Sequence, residues 1–126
     1  MTKRYLMLNV YGIKNCSTVR KSLNWLDEHS IDFVFFDVKK NTLNAKLIDQ
    51  WAKNIPAPYT WENLLNKSGI TWRQLSDDDK NSAHELNGAI ELIIKKPSVM
   101  KRPLITKNDL ILTLGYDENL FQKIYL

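Results

Sequence analysis

The chain has 126 residues, 44% of them hydrophobic and 25% charged, an ordinary globular balance that argues against disorder. A domain of this length buries roughly two-thirds of its unfolded surface, enough for a core without metal or disulfide staples. One cysteine excludes an intrachain disulfide framework and any multi-cysteine zinc or iron–sulfur site, and 18 Lys and Arg against 14 Asp and Glu leave a net charge of +4, too scattered for a nucleic-acid stripe.

In chain order, Tyr5 to Tyr11 is a short β-favouring apolar run ended by Gly12, the pattern of a strand buried on both faces. The part after Lys3-Arg4 is broken at Asn9, too short for a secretory signal, and no stretch reaches the roughly 18 apolar residues of a membrane span. The expectation is a cytoplasmic monomer with a reduced thiol. Ser17 to His29 has helical spacing through Val19, Leu23 and Leu26, and Ile31 to Val38 returns to strand character. Strand, helix and strand in so short a span predict a βαβ unit with a right-handed crossover.

The middle is helical. Leu43, Leu47, Ile48 and Trp51 share a helix face, broken at Pro56-Ala57-Pro58. Trp61 to Leu65 is a short turn that Gly69 stops. Ser76 opens a polar helix whose first turn carries Asp77-Asp78-Asp79, Asn87-Gly88 punctuates it, and a last helical face stops before Pro97. The end is β again: Pro103 to Ile105 and Leu110 to Leu114, joined by Thr106 to Asp109, predict a hairpin. Gly115 closes it, and Asp117 caps a helix carrying Leu120, Phe121 and Ile124. The fold class is therefore α/β, a thioredoxin-like βαβ plus ββα around one mixed sheet. It is expected as a single domain, with its core at about 3–40 and 98–126 and an all-helical insertion at about 43–96.

Cys16 is the leading chemical candidate, because it falls where a strand gives way to a helix. Free N–H groups and the positive end of the helix dipole favour thiolate over thiol there. Lys14 and Arg20 lie close in sequence, and Arg20 shares the helix face. A redox dithiol needs a second cysteine three residues on, where this chain has Val19. An oxidised Cys16 must then be resolved by an external thiol or a second protein. Arg102, before Pro103, is a second candidate, as a donor to a carboxylate or oxyanion. The four tryptophans and His84 are assigned to packing and solvent, and no histidine–carboxylate spacing suggests a metal.

Tyr11-Gly12-Ile13-Lys14-Asn15-Cys16, Leu64-Leu65-Asn66-Lys67, Gly69-Ile70-Thr71-Trp72-Arg73 and Lys101-Arg102-Pro103-Leu104 together resemble the arsenate reductase (ArsC)-like family, near its YffB branch and next to the Spx regulators. The resemblance implies a catalytic role for Cys16, an arginine beside it at Arg102 and a cis-proline at Pro103. Lys14, Asn15, Arg20 and Arg102 form the expected thiolate-stabilising and anion-binding set, and Arg73 and Asn66 are candidates for substrate binding. The function so implied is a glutathione-dependent monothiol oxidoreductase, with glutathione as co-substrate, no metal, and a glutaredoxin as a further partner. Two alternatives stand beside it. One is an arsenate reductase with altered anion ligands, since Asn66 and the arginine-free stretch Leu110 to Tyr116 leave Arg102 alone of the family's three arginines. The other is a non-catalytic regulator that binds RNA polymerase, as Spx does.

Overall fold

The computed structural model describes residues 7–126, so Tyr5 and Leu6 of the first expected strand lie outside the described residues. Strand β1 (Leu8–Gly12) lies second in a four-stranded sheet. Helix α1 (Ser17–Glu28) carries the chain over to β2 (Phe33–Asp37), which pairs parallel with β1, Leu8 opposite Phe33 and Gly12 opposite Asp37. After the helical middle, β3 (Leu104–Lys107) pairs antiparallel with β1, Val10 opposite Ile105, and β4 (Leu110–Leu114) pairs antiparallel with β3. The order is β2-β1-β3-β4, and α6 (Glu118–Tyr125) follows. This mixed sheet is the thioredoxin-like arrangement that the alternation of patterns implies.

Period-2 alternation splits the apolar residues between the two faces of the sheet. Leu8, Val10 and Ile105 meet Trp25 and Leu26 of α1 and Phe121 of α6. Tyr11 and Leu104 point the other way, into a larger cluster with Ile48 and Trp51 of α2 (Ala45–Lys53) and Ile93 of α5 (Leu86–Lys95). Trp25 is buried in the first of these clusters and Trp51 in the second, against which Trp61 and Trp72 lie half-buried, so the tryptophans serve packing.

Helix starts follow the polar caps. Asn44 Oδ1 accepts from the Leu47 N–H at 2.8 Å, and Asp117 Oδ1 accepts from the Leu120 N–H at 3.0 Å. Ser76 Oγ accepts from the Asp79 N–H at 3.1 Å to open α4 (Asp77–Ser82).

Three local expectations change. Gly69 does not simply end a turn; it stands at the N-cap of α3 (Ile70–Arg73). The hairpin loop is tighter than four residues, because Thr106 and Lys107 extend β3 and Asn108 and Asp109, at φ 54° and 62°, make the turn alone. Asn87-Gly88 is not a break, since α5 runs through it and the interruption falls at residues 83–85. The glycine serves a close approach instead: a Cβ on Gly88 would lie 1.8 Å from the Ser82 carbonyl oxygen. Gly88→Ala should therefore lower stability by roughly 1–3 kcal/mol despite alanine's better helix propensity. Urea unfolding of the variant checks this; an unchanged or higher midpoint contradicts the close approach.

Candidate functional site

The site begins where β1 meets α1. A Cβ on Gly12 would lie 2.9 Å from Val19 Cγ2, so the absence of a side chain lets the first turn of α1 settle on the strand end. The Ile13 carbonyl accepts from the Cys16 N–H at 3.2 Å, and the Cys16 carbonyl accepts the first helical bond from the Arg20 N–H at 3.0 Å. Cys16 is thus the N-cap of α1, with extended φ −95° and ψ 124°, and its side chain is partly exposed. The uncharged side chain makes no cap hydrogen bond of good geometry. Its anion is nonetheless favoured. Partial burial pushes the thiol up, but the Val19 N–H, the Arg102 guanidinium and the Thr18 N–H together hold it below its ordinary value.

Arg102 is aimed by backbone carbonyls. The 3₁₀ turn Pro97–Val99 brings Ser98 and Met100 round so that Nη1 donates to their carbonyl oxygens at 2.7 and 3.0 Å. Arg102 Nε is buried and has no partner among the described residues, a donor still open to an acceptor. The Arg102–Pro103 peptide bond is cis, Pro103 is buried, and its carbonyl accepts from the Gly115 N–H at 2.9 Å. The same segment is tied to the helical middle: the Lys101 N–H donates to the Leu64 carbonyl at 2.8 Å and the Asn66 N–H to the Val99 carbonyl at 2.7 Å.

The remaining expected residues separate into three places. Lys14, Asn15 and Arg20 are exposed, and it is Arg102, not they, that supplies the positive charge lowering the thiol. Water screens cations so placed. Instead, the three line one side of a cleft of about 590 Å³ whose other side is Lys40 and Asn41. Asn66 lines a second cleft, of about 300 Å³, with Lys67 and Lys101. Arg73 stands exposed at the end of α3, its carbonyl accepting from Lys80 Nζ at 3.4 Å, and among the described residues no hydrogen bond joins it to Cys16. Lys40 was hidden in sequence as half of the ordinary pair Lys39-Lys40; the available signal was its position just past a strand.

The family model of the ArsC family matches residues 11–124. The chain belongs to the ArsC family. A relative from Haemophilus influenzae, described as an uncharacterized protein, is 34% identical over 119 residues, covering 94% of this chain and 99% of its own. The global transcriptional regulator Spx of Lactiplantibacillus plantarum is 26% identical over 113 residues, covering 90% and 82%. Among solved structures, a YffB protein superposes with a TM-score of 0.83 at 28% identity, covering 94% of this chain and 99% of that one. ArsC-family kinship places the chain among thiol reductases and regulators built on this fold. Among the described residues there is no group of three or more His, Cys, Asp or Glu suited to a metal, and no helix is long and apolar enough to cross a membrane.

Proposed function

We propose that this ArsC-family chain is a glutathione-dependent monothiol oxidoreductase with Cys16 as its nucleophile, acting as a cytoplasmic monomer. The observation that carries the reading is the pairing of a partly exposed cysteine at a helix N-cap with a guanidinium fixed by two carbonyls. Arg102 lowers the thiol through a hydrogen bond and its charge, and the Val19 and Thr18 N–H groups add to this. A thiolate is the attacking species in disulfide exchange, so these groups raise the reactive fraction near neutral pH. The single cysteine dictates the cycle: Cys16 takes up one half of a disulfide, and a second glutathione or a glutaredoxin removes it.

Mass spectrometry after treatment with oxidised glutathione tests this. The expected product is one glutathionyl adduct on Cys16 that reduced glutathione or a glutaredoxin releases. An accessible Cys16 that alkylates readily yet never acquires the adduct rejects glutathione dependence.

Spx kinship favours a second reading, a regulator that binds RNA polymerase. Val19 removes the second thiol that an intrachain disulfide switch requires, so that reading rests on binding alone. A Cys16→Ser protein that captures RNA polymerase as well as the parent does would support it. Arsenate reduction is separated by glutathione-coupled turnover of arsenate, which a site where Arg102 is the one arginine acting on the sulfur is expected not to sustain.

A further inference from the structure

The cleft beside Cys16 has a composition that the sulfur chemistry leaves unexplained. Its volume is about 590 Å³, and it runs from Asn15, next to the cysteine, across the exposed face of α1 to the turn after β2. Lys14, Arg20 and Lys40 surround it, with one carboxylate, Asp37, on its wall. None of the three cations is in an ion pair among the described residues. Asp37 is already engaged, its Oδ1 accepting from the Lys39 N–H at 2.9 Å, and its carbonyl accepts from the Lys40 and Asn41 N–H groups at 3.1 and 2.9 Å. Those bonds fix the turn that presents Lys40. Half-buried Leu23 and Phe35 supply an apolar floor.

Three unpaired cations over an apolar floor form a site for an organic anion, not for a bare metal or a neutral ligand. Two of its lining residues flank the cysteine in the chain: Asn15 adjoins Cys16, and Arg20 follows it by one helical turn. From its central sulfur a tripeptide reaches a terminal carboxylate across one to two residues, about 7 Å, enough to keep the sulfur at Cys16 and the carboxylate in the cleft beside Asn15. We infer that this cleft is the carboxylate subsite for the peptidyl thiol co-substrate, with Lys14, Arg20 and Lys40 as its specificity-determining residues. The inference rests on the thiol-exchange reading above.

The chemical step balances without any further reagent. The Cys16 thiolate attacks one sulfur of glutathione disulfide, the old S–S bond breaks as the new one forms, and the second glutathione leaves as a thiolate that takes a proton from water. Cys16 is oxidised and the departing glutathione reduced.

Rate constants for the full chain against glutathione disulfide and against uncharged hydroxyethyl disulfide test the subsite. Lys40→Glu and, separately, Arg20→Glu should lower the ratio of the two rates about fivefold each at low salt, the scale of one exposed charge pair turned from attraction to repulsion. Added salt should shrink the effect. Both variants change exposed side chains, and circular dichroism checks that they fold. A parent protein that reacts with glutathione disulfide, but whose ratio is untouched by both reversals, overturns the subsite and leaves the exchange reading standing. An equal fall for both disulfides also overturns it, since the cations would then act on the sulfur itself. A parent protein that forms no adduct with either disulfide fails the exchange reading instead.

Discussion

Replacing Cys16 with serine is expected to abolish disulfide exchange and alkylation entirely while making the protein more stable near neutral pH. The first half follows from the count: no other thiol exists in the chain, and an unactivated hydroxyl does not attack a disulfide. The second half follows from position. Cys16 is the N-cap of α1, where its neutral side chain makes no hydrogen bond to the first-turn amides. Asn44, Ser76 and Asp117 make that bond at the starts of α2, α4 and α6. Serine at the same place can accept from the Val19 or Thr18 N–H, a contribution of about 1 kcal/mol and hence a few degrees in melting temperature.

The advantage of serine must shrink as pH rises. The thiol's folded pKa is lowered, so the parent gains stability that is fully present above the unfolded thiol's pKa of about 8.5 and lost as pH falls through the folded value. Thermal melts of parent and variant across pH 6 to about 9 read this directly. A Cys16→Ser protein that melts lower than the parent at pH 6 would show that the sulfur is held by packing rather than exposed at an under-satisfied cap.

That cap is also why so much of the site was legible in the sequence. A β-favouring run, a glycine and an amphipathic pattern place Cys16 at a strand-to-helix junction with no coordinates at all. The hairpin, the Asp117 cap and the two-faced burial of β1 are likewise written in local pattern. Gly88 is different. Its reason is the Ser82 carbonyl across the junction of two helices, and a contact of that kind leaves no trace in spacing, so the glycine reads as a stop. Lys14 and Arg20 show the opposite failure: nearness in sequence suggests an effect on the sulfur, yet both face the cleft and solvent. Arg102 could be picked out beside its proline, but not how its guanidinium is held. Two carbonyls, one in the 3₁₀ turn and one just past it, set that orientation, and only the packed chain brings them to it.

Arg102→Ala should therefore produce thiol-exchange profiles that cross the parent's as pH is varied. Removing the guanidinium deletes a hydrogen bond and a positive charge from the anion and leaves burial, which opposes the anion, less well countered. The thiol becomes a weaker acid. At pH well below its pKa, every tenfold weakening of the acid removes about tenfold of the thiolate but returns only about threefold in intrinsic nucleophilicity, because nucleophilicity follows thiol basicity with a slope near 0.4–0.5. The variant is therefore slower there by about threefold for every tenfold loss of acidity. Above both pKa values each protein is fully ionised, and the more basic thiolate of the variant is the faster one. Arg102→Lys, which keeps a charge but not the planar fork, should lie between the two. Stability falls as well, since the Ser98 and Met100 carbonyls lose their donor, but alkylation with iodoacetamide on the folded protein reads ionisation separately from unfolding. Parallel profiles, with the variant slower by a constant factor at every pH, would mean that Arg102 positions the incoming disulfide and leaves the Cys16 thiolate no better stabilised than before.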